Sequence, residues 1–300
     1  MNSKRPAVSI VMPVYNAGQY LVPALKSIYA QTFEDWELIA VDDASTDGSW
    51  ECLNRLDDPR VRVFRNKRNR KHPGTLNRAV GLARGKYFAR MDADDIIVPE
   101  RLEKQVHALE TQTQVDVLGC GTFLTDLHLN VLRVRRPPTA HRDIVKRPYY
   151  FFPITYGALV GRAEWWRKWP LDPRAVHPTS FDLYFRSYRT TVFGNIQDLL
   201  YAYRFVGHTR KLSKLCMSVY HRMRTLVKHG LGAGRSARTL VALGRLLPLP
   251  AVFLLQTVIG SSRTLKREEG VGLPTPGDLH AFRTALEVVT QTEVPLRSRG

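Results

Sequence analysis

The chain has 300 residues, 44% of them hydrophobic and 24% charged, with 45 Lys and Arg against 27 Asp and Glu. That apolar content supports a packed core and excludes global disorder, and the length suits one large domain with an appendage, or two domains. The formal charge of +18 first suggests nucleic acid or an anionic membrane as partner, yet it is unevenly spread. Between Leu199 and Arg267 there is no Asp or Glu and there are thirteen Lys and Arg, whereas the rest of the chain holds 32 basic and 27 acidic residues, a balance of +5. Cys52, Cys120 and Cys216 lie far apart without C-x-x-C spacing, which argues against a disulfide framework or a zinc site and fits a reducing compartment. The N-terminal apolar run is short and broken by Ser9 and Pro13, so no signal peptide is expected.

Val8–Val14 is a β-type apolar run, followed by a turn at Asn16-Ala17-Gly18 and then Leu21, Leu25 and Ile28 at helical spacing. Trp36–Val41 predicts a second buried strand that ends abruptly in Asp42-Asp43, and Asp47-Gly48-Ser49 marks a turn before a helix over Trp50–Leu56. Val61–Phe64 predicts a third strand, and Thr75–Ala83 a helix closed by Gly85 as its C-terminal cap. Lys86–Met91, a fourth strand, leads into Asp92-Ala93-Asp94-Asp95. Pro99 starts a helix to Leu109, and Val115–Gly119 predicts a fifth strand. After about Thr122 the pattern weakens. Pro137-Pro138 breaks the chain, Tyr149–Trp169 is rich in aromatic residues, and Leu199–Phe205 predicts a last strand. Leu212–His229 and Ala237–Leu247 predict two basic helices separated by the Gly-rich Gly230–Gly234.

Strand–helix alternation with short connections predicts an α/β fold with a mostly parallel sheet covered on both faces. In such sheets ligands bind beyond the carboxyl ends of the strands. Three strand ends carry polar groups here: Pro13-Val14-Tyr15-Asn16, Asp42-Asp43 and Asp92-Ala93-Asp94-Asp95. Asp92 and Asp94 are two residues apart, so in extended backbone they share a face. Paired carboxylates repel unless a cation lies between them, and oxygen ligands suit Mg2+ or Mn2+. Such an ion neutralises a departing diphosphate. The plainer account makes this run an acidic helix N-terminus with Asp95 as cap. Asp43 suits a ribose or base donor, or merely a polar turn. Tyr15 suits a base to stack on, or a buried strand end.

The runs VSIVMPVYNAGQYLVPALKSIYAQTFEDWELIAVDDASTDGS and LNRAVGLARGKYFARMDADDIIVPERLEKQ resemble the family-two glycosyltransferases, densely from Ala7 to Glu110 and thinly to Arg204. The resemblance implies a GT-A type, Rossmann-like, mostly parallel sheet flanked by helices over residues 1–208, with a basic helical C-terminal extension over 209–300. It implies transfer of a sugar, a hexose by type, from a nucleotide diphosphate to a saccharide or lipid-linked acceptor, with inversion and with Mg2+ or Mn2+. UDP is the family default, and cell-envelope polysaccharide biosynthesis the setting. By the same resemblance Tyr15 stacks on the base and Asp43 hydrogen-bonds it. Asp92 binds ribose or the metal shell, Asp94 ligates the metal, and Pro13 and Asn16 shape the pocket wall. The loop RNKRNRKHPG resembles the segment that crosses the nucleotide, with Arg68, Arg70 and Lys71 either reaching a phosphate or simply solvated. Arg204 and His208 fall where the family's closing strand and loop approach the diphosphate.

One departure stands out. Inverting transfer needs a group to take the acceptor proton, which the family supplies from an acidic pair ahead of an Arg. Aligning on Leu183 and Arg186 puts Thr179 and Ser180 in that place. Asp182 then serves as base after a local shift, or only caps a helix. His177 or Asp172 takes the proton instead, or the chain is a nucleotide-sugar-binding module impaired in catalysis. Four accounts stay open.

Leu246–Ile259 is uncharged but contains Pro248 and Pro250 and is shorter than the about 20 residues a spanning helix needs. The basic amphipathic helices before it suit an anionic leaflet. That predicts a cytoplasmic protein, peripheral on the inner face of the cell membrane, unless those helices pack on the catalytic domain with solvated basic faces. No RNP, zinc-finger or homeodomain pattern supports nucleic acid as a partner. A sugar nucleotidyltransferase is disfavoured because PVYN stands where a Gly-rich loop is expected.

Overall fold

Val8–Val14 (β1) and Trp36–Asp42 (β2) are buried along nearly their whole length. Strands this apolar are stable only where both faces of the sheet are covered. The computed structural model describes residues 5–175, 179–204, 212–231, 236–249 and 270–297. In it β1 and β2 run parallel, with Val61–Arg65 (β3) outside β2 and Tyr87–Arg90 (β4) on the other flank of β1. Leu21–Tyr29 (α1), Ser49–Asn54 (α2) and Lys71–Leu82 (α3) connect them. Parallel order therefore holds in this half of the sheet.

Ile96–Ile97 (β5) and Arg101–Thr111 (α4) follow the acidic turn, and Val117–Thr125 (β6) and Val131–Arg135 (β7) form an antiparallel pair. After the short helix His141–Ile144 (α5), Val160–Arg162 (β8) inserts antiparallel between β4 and β6. Ala163–Lys168 (α6) and Thr179–Ser187 (α7) lead to Phe193–Arg204 (β9), which runs parallel to β6 and antiparallel to β5. This second pairing brings the end of β9 to the acidic turn after β4. Each face of the sheet then has its own core. Leu25, Leu102 and Phe282 belong to one, and Leu76, Trp166, Leu183 and Leu226 to the other.

Several element bounds differ from expectation. The fifth long strand runs on to Thr125, and the last begins at Phe193 because it gains β6 as a neighbour along its length. Helix α3 begins at Lys71 and ends before an extended Ala83, so Gly85 is not its cap. Glycine is required there for another reason: a Cβ would come 2.6 Å from the Ser9 backbone nitrogen. Backbone and sheet meet too closely for a side chain.

The two basic helices form, as Leu212–Gly230 (α8) and Ser236–Leu246 (α9). Helices α8 and α9 bury Val219, Leu226, Ala242 and Leu246 in the same core as α3, α6 and α7. Val271–Gly272 (β10) adds an antiparallel strand to β7, and Pro276–Gln291 (α10) returns to the opposite face. There Phe282 lies 4.5 Å from the Phe123 ring centroid. Helix α10 starts with a capping box between Thr275 and Asp278, a strong local signal for its N-terminus. Among the described residues no helix is long and apolar enough to cross a membrane. Most of the uncharged run Leu246–Ile259 lies outside the described residues.

Candidate active site

The polar strand ends do converge, and each is held by different chemistry. After β1 the chain turns through Asn16 in the left-handed region (φ 49°), which Asn tolerates better than most residues. The Asn16 Oδ1 accepts from Thr46 N at 2.9 Å, and its own N–H donates to Ser45 Oγ at 3.0 Å. Tyr15 is left 53% exposed beside it. After β2, Asp42 is fully buried and pairs with Arg65 at 3.1 Å. Asp43 points the other way. Its Oδ1 accepts from Asn66 Nδ2 and from Arg70 N, both at 2.7 Å, so it fixes the basic loop over the strand ends. Lys71 follows with φ at 63°, a strained conformation for a residue with a Cβ.

After β4 the carboxylates divide into three roles. Asp95 is buried, accepting from the Tyr201 hydroxyl at 2.6 Å and from Arg204 N at 2.9 Å. Burial and then the Asp92 and Asp94 charges push its carboxyl well above the usual range. Asp92 is clamped by Arg90, whose Nη2 and Nη1 reach its two oxygens at 2.6 and 2.9 Å. Asp94 is exposed, and its backbone carbonyl accepts from the Arg204 guanidinium. Its carboxyl is nevertheless raised, by desolvation from the surrounding chain and by the Asp92 charge.

Arg90 was not singled out from the sequence, although a basic residue two positions before Asp92 on a strand shares its face. It is 4% exposed, 3.9 Å from the Tyr156 ring centroid and 2.9 Å from His72 Nε2. Burial and the Arg90 charge bring the His72 imidazole down to about 4. At neutral pH His72 is therefore uncharged, and Nε2 is the acceptor of the Arg90 hydrogen bond. His72 was hidden in a loop whose basic residues dominate it.

Two cavities meet over this group. The smaller, about 390 Å³, is lined by Pro13, Tyr15, Asn16, Asp43, Lys71 and Asp94 among others. The larger, about 620 Å³, is walled by aromatic residues including Tyr150, Phe152, Phe181 and Tyr184, and by Thr179 and Ser180. His72 and Asp92 line both. Thus the nucleotide-binding residues expected from the sequence share one cavity, and Thr179 and Ser180 face the other.

Asp182 lines neither cavity. It is buried between α7 and α8, with Oδ2 accepting from Arg186 Nε at 2.7 Å and Oδ1 from Thr225 Oγ1 at 3.0 Å. Both oxygens are occupied, so the expectation that Asp182 takes the acceptor proton does not fit its position. Asp172 is also engaged. Although burial raises it, hydrogen bonds from Arg174 and Arg224 bring its carboxyl down to about 2, which makes it a weak proton acceptor. His177 and His208 lie outside the described residues.

Among the described residues no group of three or more His, Cys, Asp or Glu side chains is arranged to hold a metal alone. Magnesium, however, is commonly bound by one or two carboxylates together with substrate phosphates. An exposed Asp94, raised by desolvation and then by the Asp92 charge, fits such a shared site, while Asp92 has both oxygens on Arg90.

Residues 9–164 match the family model described as Glycosyl transferase family 2. The putative glycosyltransferase EpsE of Bacillus subtilis is 34% identical over 212 residues, covering 68% of this chain and 74% of that protein. The chain belongs to glycosyl transferase family 2 and is a glycosyltransferase. Its fold is that of GT-A enzymes. The structure of S. aureus TarS 1–349 in complex with UDP superposes with a TM-score of 0.59 at 18% identity, covering 87% of this chain and 76% of that one. The mannosyltransferase PcManGT from Pyrobaculum calidifontis, in complex with GDP-Man and Mn2+, gives 0.57 at 17% identity, covering 96% and 87%.

Proposed function

We propose that the chain transfers a hexose from a nucleoside diphosphate sugar, with UDP as nucleotide, to a saccharide or lipid-linked acceptor, with inversion and with Mg2+ or Mn2+. The observation that carries this reading is the junction of two cavities at Asp92 and His72, with Tyr15, Asp43 and Asp94 in the smaller one. In this reading the Tyr15 face stacks on the base, and Asp43 holds the 66–70 loop with one oxygen and meets the base with the other. Pro13 and Asn16 shape the wall beneath. Asp94 holds the ion with the donor phosphates, and Asp92, oriented by Arg90, meets the ribose or the ion's outer shell. The ion, when bound, neutralises charge on the departing diphosphate. His72, being neutral, adds no charge where the reacting carbon would lie. The UDP in the TarS complex and the GDP-Man and Mn2+ in the PcManGT complex support the donor class and the metal.

The test is thermal unfolding with UDP, GDP and their sugars, with and without Mn2+. A ligand at 100 times its Kd stabilises the fold by about 2.7 kcal/mol. The expected outcome is a nucleotide shift that Mn2+ enlarges in the wild type and leaves unchanged in Asp94→Asn. Equal enlargement in both proteins removes Asp94 from the metal site.

A second reading has its own observation. Asp182 is locked away by Arg186 and Thr225, and Asp92, the one carboxylate on the larger cavity among the described residues, is paired with Arg90. This favours a module that binds nucleotide sugar without transferring it. Turnover of UDP-sugars with Mn2+ and acceptor saccharides separates the two, since donor binding without turnover supports the second.

We further infer a cytoplasmic protein peripheral on the inner face of the cell membrane, serving cell-envelope polysaccharide biosynthesis. Tyr220, Leu240, Val241 and Leu247 are exposed on or just beyond α8 and α9, in the acid-free segment. Exposed apolar side chains interleaved with Lys and Arg support binding at an anionic interface. Sedimentation with vesicles of anionic or neutral lipid tests it, and equal binding to both overturns it.

A further inference from the structure

Among the described residues the one carboxylate lining the larger cavity, Asp92, is paired by Arg90, and Arg222 lines the same cavity. Arg222 comes from α8, in the acid-free part of the chain. Its Nη2 donates to the Tyr150 carbonyl, and its guanidinium lies 4.7 Å from the Phe181 ring centroid. Its Nε is enclosed and meets no hydrogen-bond partner. Two carboxylates that contact α8 are taken by other cations, Asp182 by Arg186 and Asp172 by Arg224. No carboxylate among the described residues pairs with Arg222, and burial alone lowers its pKa.

A half-buried guanidinium with an enclosed, unpartnered Nε and no counter-charge is costly, and buried charges in folded proteins are normally paired. The arrangement makes sense when the missing charge arrives with a ligand. Resting on the reading that the larger cavity receives the acceptor, we propose that Arg222 is its anion-binding residue and that the acceptor carries an oxyanion beside its sugar. A phosphate and a carboxylate share this chemistry, since both present oxygens that match the planar donors of a guanidinium. Phe181 and Tyr150 line the same cavity, with the Arg222 and Arg245 guanidinium groups 4.7 and 5.3 Å from their ring centroids. The basic C-terminal helices thereby select the acceptor as well as closing the core.

The experiment titrates the full chain, saturated with UDP and Mn2+, by calorimetry with methyl β-glucuronide, glucose 1-phosphate and neutral methyl β-glucoside. At least one anionic probe is expected to bind about tenfold tighter than the glucoside. Which one does so tells a carboxylate from a phosphate. Arg222→Gln removes the preference and Arg222→Lys keeps part of it, with UDP affinity unchanged in both. Equal binding of all three probes to the wild type, or a preference that survives Arg222→Gln, overturns the inference. Should Arg222→Gln not fold, the wild-type comparison and Arg222→Lys decide alone. UDP binding is read in the same series. Its absence, with the preference for an anionic probe intact, sinks the donor assignment and leaves Arg222 supported.

Discussion

Arg186 and Asp182 show how one side chain can hold a helix and still resemble a reactive group. Asp182 accepts from Arg186 four residues on and from Thr225 on α8, so its carboxylate joins two helices inside the core. Removing one partner of a buried pair leaves the other charge stranded, at about 3 kcal/mol. Asp182→Asn is expected to lower stability by about that amount in urea unfolding and to leave UDP affinity unchanged. A variant as stable as the wild type, but without sugar transfer, would instead make Asp182 the base. Asp92 is the counterpart on the cavity side. Its partner Arg90 is buried against Tyr156, so the carboxylate is oriented before any ligand arrives.

At the scale of elements, two carboxylates hold α8, Asp182 through Thr225 and Asp172 through Arg224 at 3.1 Å. The second tie has a pH signature. Asp172 is held near about 2 in the folded chain, against about 3.9 when unfolded. Because the folded value is the lower one, its stabilisation is fully present above about pH 4 and is lost as pH falls through about 2. Linkage puts the effect at about 2 to 3 kcal/mol. Asp172→Asn should therefore lower stability at pH 7 by about that amount and flatten the loss of stability between about pH 4 and 2, as read from denaturant midpoints. An unchanged acid profile would mean that Asp172 does not anchor α8. The elements of the first half were easy to read, since β1, β2 and β4 are buried runs ended by polar turns. Gly85 misled because a glycine after a helix usually caps it, and its true constraint, the Ser9 backbone 2.6 Å from a Cβ, belongs to a strand far away in the chain.

For the whole molecule, the last described residues complete the sheet and core begun by the first. Phe282, Ala285 and Val289 are buried, and Arg297 N donates to the Arg55 carbonyl at 2.8 Å. Ending the chain after residue 269 uncovers Phe123 and the edge of β7, and should lower the melting temperature and promote aggregation in a concentration-dependent light-scattering assay. A truncated chain that melts like the full one would make residues 270–300 a separable appendage. By itself the sequence determined the α/β alternation, the family and the grouping of Tyr15, Asn16, Asp43, Asp92 and Asp94 around strand ends. Those features rest on local periodicity and on motifs within single turns. Only the tertiary structure decided which carboxylates have free oxygens, that Arg90 and His72 stand where two cavities meet, and that Arg222 faces a cavity with no paired carboxylate among the described residues. Pairing and burial depend on residues far apart in the chain. The net charge of +18 is a sum, and its meaning lies in which of those cations find a partner.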